Sequence, residues 1–286
     1  MDYQWYPGHM TKAIRQMRED IKLVDLVIEL LDARIPLSSR NPDIDNLGQN
    51  KARLVILNKS DLADESQNNL WDKFFKDKGY TVLKVDSRVN SLAKTVDKAI
   101  EVACKEKIEA NQKKGINRPI RAMVVGIPNV GKSTFINSYA KRSVAKTGNK
   151  PGVTKGKQWI KIGKNLELLD TPGILWPKFD DEQIGLNLAL VGSMNDNNLD
   201  AAELAFQFIK MTRDNYPDVL KNRFNIEGNE DIIEEMYQVA EARNCKLPGN
   251  KLDLDKASKI ILDEFRSGKL GRITLDRIWL WIAFQI

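Results

Sequence analysis

The chain has 286 residues, 42% of them hydrophobic and 29% charged, with one histidine and a formal net charge of +6. That much apolar material can bury a substantial core, which excludes fibrous and disordered classes. No apolar run reaches the roughly 18 residues of a membrane-spanning helix, and the opening Met1-Asp2-Tyr3-Gln4-Trp5 lacks a basic segment followed by an apolar one. A soluble, cytoplasmic chain without stable membrane association is therefore expected. Cys104 and Cys245 stand in no metal or redox spacing and are expected to be idle thiols. Charge is unevenly spread. Residues 179–286 hold 13 basic against 19 acidic side chains, whereas residues 105–164 hold 15 basic and only two acidic ones, Glu106 and Glu109. Such a stretch favours a polyanionic partner, nucleic acid first; the alternative is a solvated helix plus nucleotide-phosphate contacts.

In chain order, helical spacing comes first over residues 10–22, after the turn Pro7-Gly8-His9. Apolar runs at 26–31, 53–57, 81–85, 122–125 and 166–169 read as short strands, several continuously apolar as in a sheet covered on both faces. Helical patterns at 67–77, 92–113 and 132–139 lie between them. This alternation predicts an α/β domain with a mainly parallel sheet over residues 1–178. After Trp176-Pro177 the segments 183–191, 201–211, 231–242, 255–265 and 275–286 all carry helical spacing, predicting a small all-α C-terminal domain over residues 179–286. Its apolar end, Ile278-Trp279-Leu280-Trp281-Ile282, is expected to seal that bundle rather than face a membrane, since no basic amphipathic face accompanies it.

Two loops carry the chemistry. Gly126-Ile127-Pro128-Asn129-Val130-Gly131-Lys132-Ser133, between an expected strand and helix, is a phosphate-binding loop. Its glycines permit a tight turn in which backbone N–H groups face phosphate oxygens at a helix N-terminus. Lys132 reaches the β- and γ-phosphates, Ser133 can ligate Mg²⁺, and Val130, Gly131 and Thr134 complete the cradle. Asn58-Lys59-Ser60-Asp61 follows the strand at 53–57 and is expected to read the base. Asp61 can accept two hydrogen bonds, from guanine N1–H and the exocyclic amine; adenine offers no such pair and would leave a buried carboxylate unpaired. Asn58 would tie the tetrad to the base edge and the phosphate loop, and the Lys59 stem would cover the base face. Asp86-Ser87 reads as the companion loop whose backbone N–H meets guanine O6. In Asp170-Thr171-Pro172-Gly173, Asp170 can hold Mg²⁺ through water and the Gly173 N–H can meet the γ-phosphate. Thr154, between these motifs, can ligate Mg²⁺ only while the γ-phosphate holds its loop.

The order is the informative part. An ordinary guanine-nucleotide domain places the phosphate loop first and the base-reading tetrad much later; here residues 58–61 precede residues 126–133. Exposed loops tolerate such cutting and rejoining, because the sheet itself stays intact. It also sets the segment after Gly173, residues 174–179, against the helical tail, where it is expected to transmit GTP state.

This order, with Trp5-Tyr6-Pro7-Gly8-His9-Met10, Asp32-Ala33-Arg34-Ile35-Pro36 and Asn149-Lys150-Pro151-Gly152-Val153-Thr154, resembles the circularly permuted GTPases and, among them, the bacterial ribosome biogenesis GTPase A family. The resemblance covers nearly all of residues 1–178; over the tail it rests on length and pattern. It implies a P-loop GTPase domain hydrolysing GTP in late assembly of the large ribosomal subunit, with rRNA and ribosomal proteins as partners and GTP/GDP and Mg²⁺ as ligands. His9, Lys132 and Thr154 are the implied catalytic residues. The family's matching histidine is proposed to position water when the subunit docks, although a lone histidine is more often structural or superficial. Ile174 stands where many GTPases carry a water-orienting glutamine. Related GTPases with asparagine in the loop coordinate K⁺ there, so Asn129 is a candidate K⁺ ligand; the alternative is that it stabilises the turn. A monomer is expected for the free protein. The rival from another class is a GTP-dependent scaffold for protein or membrane partners with little hydrolysis.

Overall fold

The computed structural model describes residues 15–89, 92–141, 158–171, 181–194 and 199–278. Six strands form one sheet: β1 (Leu26–Asp32), β2 (Ala52–Asn58), β3 (Thr81–Val85), β4 (Ile120–Val125), β5 (Gln158–Ile162) and β6 (Leu166–Asp170), in the order β3-β2-β1-β4-β6-β5. Every pairing is parallel except β5 with β6. Each residue of β1 is buried, so helices and loops cover both faces, and its run is apolar apart from Glu29 and the terminal Asp32, which are buried against Arg53 and Arg34.

The register places the site. Asp32 lies opposite Asn58, Asn58 opposite Val85, and Glu29 opposite Val125. The C-terminal ends of β1 to β4 therefore open on one edge of the sheet. From β1 the chain steps outward through β2 and β3, then returns to the far side of β1 with β4. That reversal leaves a crevice beyond the strand ends, where open α/β sheets bind ligands.

Helices α1 (Asp43–Leu47), α2 (Glu65–Asp77), α3 (Leu92–Ala103), α4 (Lys105–Lys113) and α5 (Lys132–Ala140) accompany the sheet. The expected single helix at 92–113 is divided at Cys104. Its first part buries Leu92, Val96, Ala99 and Ile100 at helical spacing and the second buries nothing, so the polar part turns off the sheet. Strand β5 was not among the runs expected to be strands, because Gln158 and Lys161 interrupt its apolar content. Trp159, in the basic stretch, is a partly buried strand residue with the Arg121 guanidinium 5.3 Å from its ring centroid.

Beyond residue 181 every described helix or strand is helical: α6 (Glu182–Leu190), α7 (Ala201–Thr212), α8 (Val219–Phe224), α9 (Ile232–Ala242) and α10 (Leu254–Ser267). Asp181, Asp200, Asp231 and Asp253 cap α6, α7, α9 and α10, each accepting a backbone N–H, an interaction of about 1 kcal/mol apiece. Phe208 and Phe265 pack at 4.7 Å between ring centroids, joining α7 to α10. The helix expected at 275–286 does not begin at Leu275: Leu275 N–H donates to Arg34 O at 2.8 Å, and Asp276 accepts from the Leu37 and Ser38 amides at 2.8 and 2.7 Å. Binding to the loop after β1 holds this stretch out of helical geometry. Trp279 and the residues after it lie outside the described part.

Candidate functional site

The loops after β2, β3 and β4 converge on one side chain, Asn58, the last residue of β2. Its Nδ2 donates to Val130 O in the phosphate loop at 2.7 Å, and its Oδ1 accepts from Ser87 N at 3.1 Å and Ser87 Oγ at 2.7 Å. One buried amide thereby fixes the tetrad, the phosphate loop and the loop after β3 relative to each other. Gly131 makes the approach possible: it sits at φ +98°, and a Cβ there would lie 2.5 Å from Asn58 Nδ2. A Cβ at Gly126 would meet Leu30 O at 2.6 Å, so the loop also leaves β4 hard against β1.

Lys59 crosses the same crevice. Its Nζ donates to Asp32 Oδ2 and to Asn129 O, both at 2.9 Å. Lys59 and Asn129 share left-handed backbones, φ +57° and +58°, a conformation costing of order 1 kcal/mol that this bridge holds in place. Asp32 is buried and also takes Arg34 in a two-pronged bond, Nε to Oδ1 at 2.9 Å and Nη2 to Oδ2 at 2.7 Å. Burial alone would raise its pKa. The Arg34 and Lys59 cations outweigh that and hold the carboxyl well below the usual range. Burial, opposed by Asp32 and reinforced by Arg34, lowers Lys59 from its ordinary value.

In the phosphate loop, Lys132 is buried and donates to Gly126 O at 3.0 Å and Ile127 O at 3.1 Å, so its ammonium curls over the loop at the start of α5. Ser133 and Thr134 follow at the partly open N-terminus of that helix, where the dipole favours phosphate. Thr171 Oγ1 donates to Val124 O at 2.6 Å, and the β4–β6 register sets the Asp170 backbone opposite Val124. Asp170 is thus placed at a strand end adjacent to the phosphate loop. Asn129 Nδ2 leaves its own loop and donates to Gly192 O at 2.7 Å, just past α6.

Asp61 lies beside this crevice. Its Oδ1 is buried with no hydrogen-bond partner, whereas Oδ2 accepts from Arg88. An orphaned buried acceptor fits a base edge that brings N–H donors. Ser60 N donates to Val85 O at 3.1 Å, linking the tetrad to the end of β3. Asp86 accepts from Arg88 N, Nε and Nη2, and these bonds hold its pKa below the ordinary carboxylate value. Ser87 gives its N–H to Asn58 rather than presenting it toward a base.

The described site therefore brings together Asn58, Lys59, Ser60, Asp61, Asp86, Ser87, Asn129, Val130, Gly131, Lys132, Ser133 and Thr134, with Asp170 at the neighbouring strand end. His9, Thr154 and Gly173 lie outside the described residues, as does the 174–179 segment. Two participants were not singled out from the sequence. Asp32, noted only within the motif at 32–36, anchors Lys59 and Arg34; its signal was a carboxylate ending an apolar strand. Arg88 gave none beyond adjacency to Ser87.

With this geometry in place, likeness to known proteins becomes specific. A family described as "50S ribosome-binding GTPase" matches residues 121–244. Ribosome biogenesis GTPase A of Bacillus cereus is 49% identical over 278 residues, covering 96% of this chain and 94% of that protein. The chain belongs to the ribosome biogenesis GTPase A family. The Thermotoga maritima protein of the same name is 31% identical across 96% of this chain and 94% of that one. Among solved structures, GNP-bound YlqF from T. maritima has a TM-score of 0.64 at 27% identity, covering 93% of this chain and 98% of that one. A GDP-bound YlqF structure gives a TM-score of 0.65 at 26% identity, over 92% and 99% of the two chains. The family match at 121–244 leaves residues 58–61 upstream, in keeping with the permuted order.

Proposed function

We propose that this chain is a GTP-hydrolysing switch in ribosome assembly, binding the large ribosomal subunit or its precursor at a late stage. The observation that carries the reading is the Asn58 side chain, which locks the tetrad onto the phosphate loop and makes one pocket of two distant stretches. Asp61 would read guanine, Lys132 and the loop amides would grip the phosphates, and Ser60, Asp86 and Ser87 would frame the base. Ser133, Thr154 and Asp170 would hold Mg²⁺. Among the described residues no group of three His, Cys, Asp or Glu side chains could hold a metal alone. A hydroxyl residue in the first turn of α5 and an aspartate at the end of β6 suit a hard cation that takes its remaining ligands from nucleotide phosphates and water.

Water activation would fall to His9. Asn129 would ligate K⁺ through Oδ1 while Nδ2 stays on Gly192. Residues 1–178 would form the GTPase domain and residues 179–286 a C-terminal domain contacting rRNA, in a protein that is cytoplasmic and monomeric when free. Among the described residues no helix is long and apolar enough to cross a membrane.

GTP turnover measured alone, with large ribosomal subunits and with liposomes tests the reading. Stimulation by subunits only is expected; stimulation by liposomes, or by neither with GTP merely bound, would favour a scaffold. His9→Ala should lose the subunit-stimulated rate and keep GTP binding, and full turnover in that variant would remove the assignment. Equal rates in KCl and NaCl would remove K⁺.

A further inference from the structure

Arg88 stands between the two carboxylates that frame the base position. It is 65% exposed, yet it is held firmly: its N–H and Nε each donate to Asp86 Oδ1 at 2.9 Å, and its Nη2 donates to Asp86 Oδ2 at 2.9 Å. The same Nη2 reaches across to Asp61 Oδ2. Asp61 Oδ1 is buried and has no partner. In the residue assigned to read the base, one oxygen is met by a protein guanidinium and the other by nothing.

The chemistry of that substitution is specific. Guanine offers Asp61 a planar edge of adjacent N–H donors, and a guanidinium is likewise a planar fork of N–H donors without acceptors. We infer that Arg88 is an affinity-tuning residue, an internal stand-in for guanine that occupies Asp61 in the nucleotide-free protein and must release it when GDP or GTP binds. The inference rests on the assignment of Asp61 to guanine. Asp86 is the pivot: its bonds to the Arg88 backbone N–H and Nε keep the guanidinium at the pocket rim after Asp61 is released. Because Arg88 competes for the oxygen the base needs, only the fraction of molecules with Asp61 released is ready to bind. The apparent affinity falls by that fraction for GDP and GTP alike. The effect belongs to association, since after displacement Arg88 has no further hold on the base.

Equilibrium titration and stopped-flow binding of GDP to wild type, Arg88→Ala, Arg88→Lys and Asp61→Asn, at low and high ionic strength, test this. Arg88→Ala should bind GDP about two- to fivefold tighter, the scale of a partly exposed ion pair, through faster association at an unchanged dissociation rate. The advantage should shrink at high ionic strength, where screening weakens the pair in the wild type. Arg88→Lys, which keeps the charge without the planar fork, should fall between the two. Equal or weaker GDP binding by Arg88→Ala, or a gain confined to dissociation, overturns the inference. Asp61→Asn separates the two levels. If it loses GDP affinity while Arg88→Ala is unchanged, only Arg88 is misassigned; if it retains full affinity, the base assignment fails and this inference with it.

Discussion

Asn58 shows how much of this pocket depends on single atoms. Its amide supplies one donor and one acceptor, and three loops use them. Asn58→Ala should leave buried groups at Val130 and Ser87 unpaired, costing about 1–3 kcal/mol of stability in urea denaturation. GDP affinity in the same variant should fall by about tenfold or more, since the phosphate and base loops lose their common tie. An unchanged GDP affinity would show that the loops hold their places without it. Gly131→Ala tests the same contact from the other side. It adds a Cβ 2.5 Å from Asn58 Nδ2 on a backbone at φ +98°, so it should match or exceed the loss of nucleotide binding in Asn58→Ala, as read by GDP titration.

Among the elements, the end of β1 matters as much as the phosphate loop. Asp32 takes Arg34 and Lys59 together, and Lys59 carries the link on to Asn129 O. Because the folded pKa of Asp32 is depressed, the stability it contributes is fully present above its unfolded value near ~3.9 and is lost as pH falls through the folded value. Asp32→Asn should therefore destabilise the protein by about 3–5 kcal/mol at neutral pH, having left two cations without their counter-charge. The difference from wild type should narrow progressively below about pH 4; a constant difference across that range would contradict the ionic account.

The sequence made these elements legible wherever a physical period or a loop chemistry was strong. All but one of the sheet strands were readable from apolar runs, and the nucleotide loops from glycine and carboxylate placement. What escaped was set by tertiary partners. Helices α1 and α8 are too short to show a period, β5 is a polar-interrupted edge strand, and residues 275–277 leave helical geometry because Arg34 and Ser38 claim their backbone and side chains. Arg88 is legible only once Asp61 and Asp86 are seen on either side of it.

On the scale of the whole molecule, the phosphate loop is wired directly to the helical half. Asn129 Nδ2 donates to Gly192 O, and Arg266 of α10 donates to Ala189 O and Leu190 O at the end of α6 while its own carbonyl accepts from Arg34. A change in the loop on exchange of GDP for GTP therefore has a path to α6 and α10. Small-angle scattering should differ between the GDP form and the form with a non-hydrolysable GTP analogue, and Asn129→Ala should reduce that difference; identical profiles would contradict the coupling. Reversing two or three of Lys246, Lys251, Lys256, Lys259 and Lys269 should weaken ribosomal-subunit binding and flatten its salt dependence, if these cations face rRNA despite the acidic balance of residues 179–286.

The central claim is that a carboxylate from the early half of the chain chooses the base whose phosphates the later loop holds. Nucleotide preference of Asp61→Asn tests it most directly, by titrating GDP and XDP side by side. Xanthine presents a carbonyl where guanine has its amine, so an amide at this position complements it and a carboxylate does not. The account predicts that wild type prefers GDP and Asp61→Asn prefers XDP, with Lys132→Ala weakening both. A variant that still prefers GDP as strongly as wild type would contradict it.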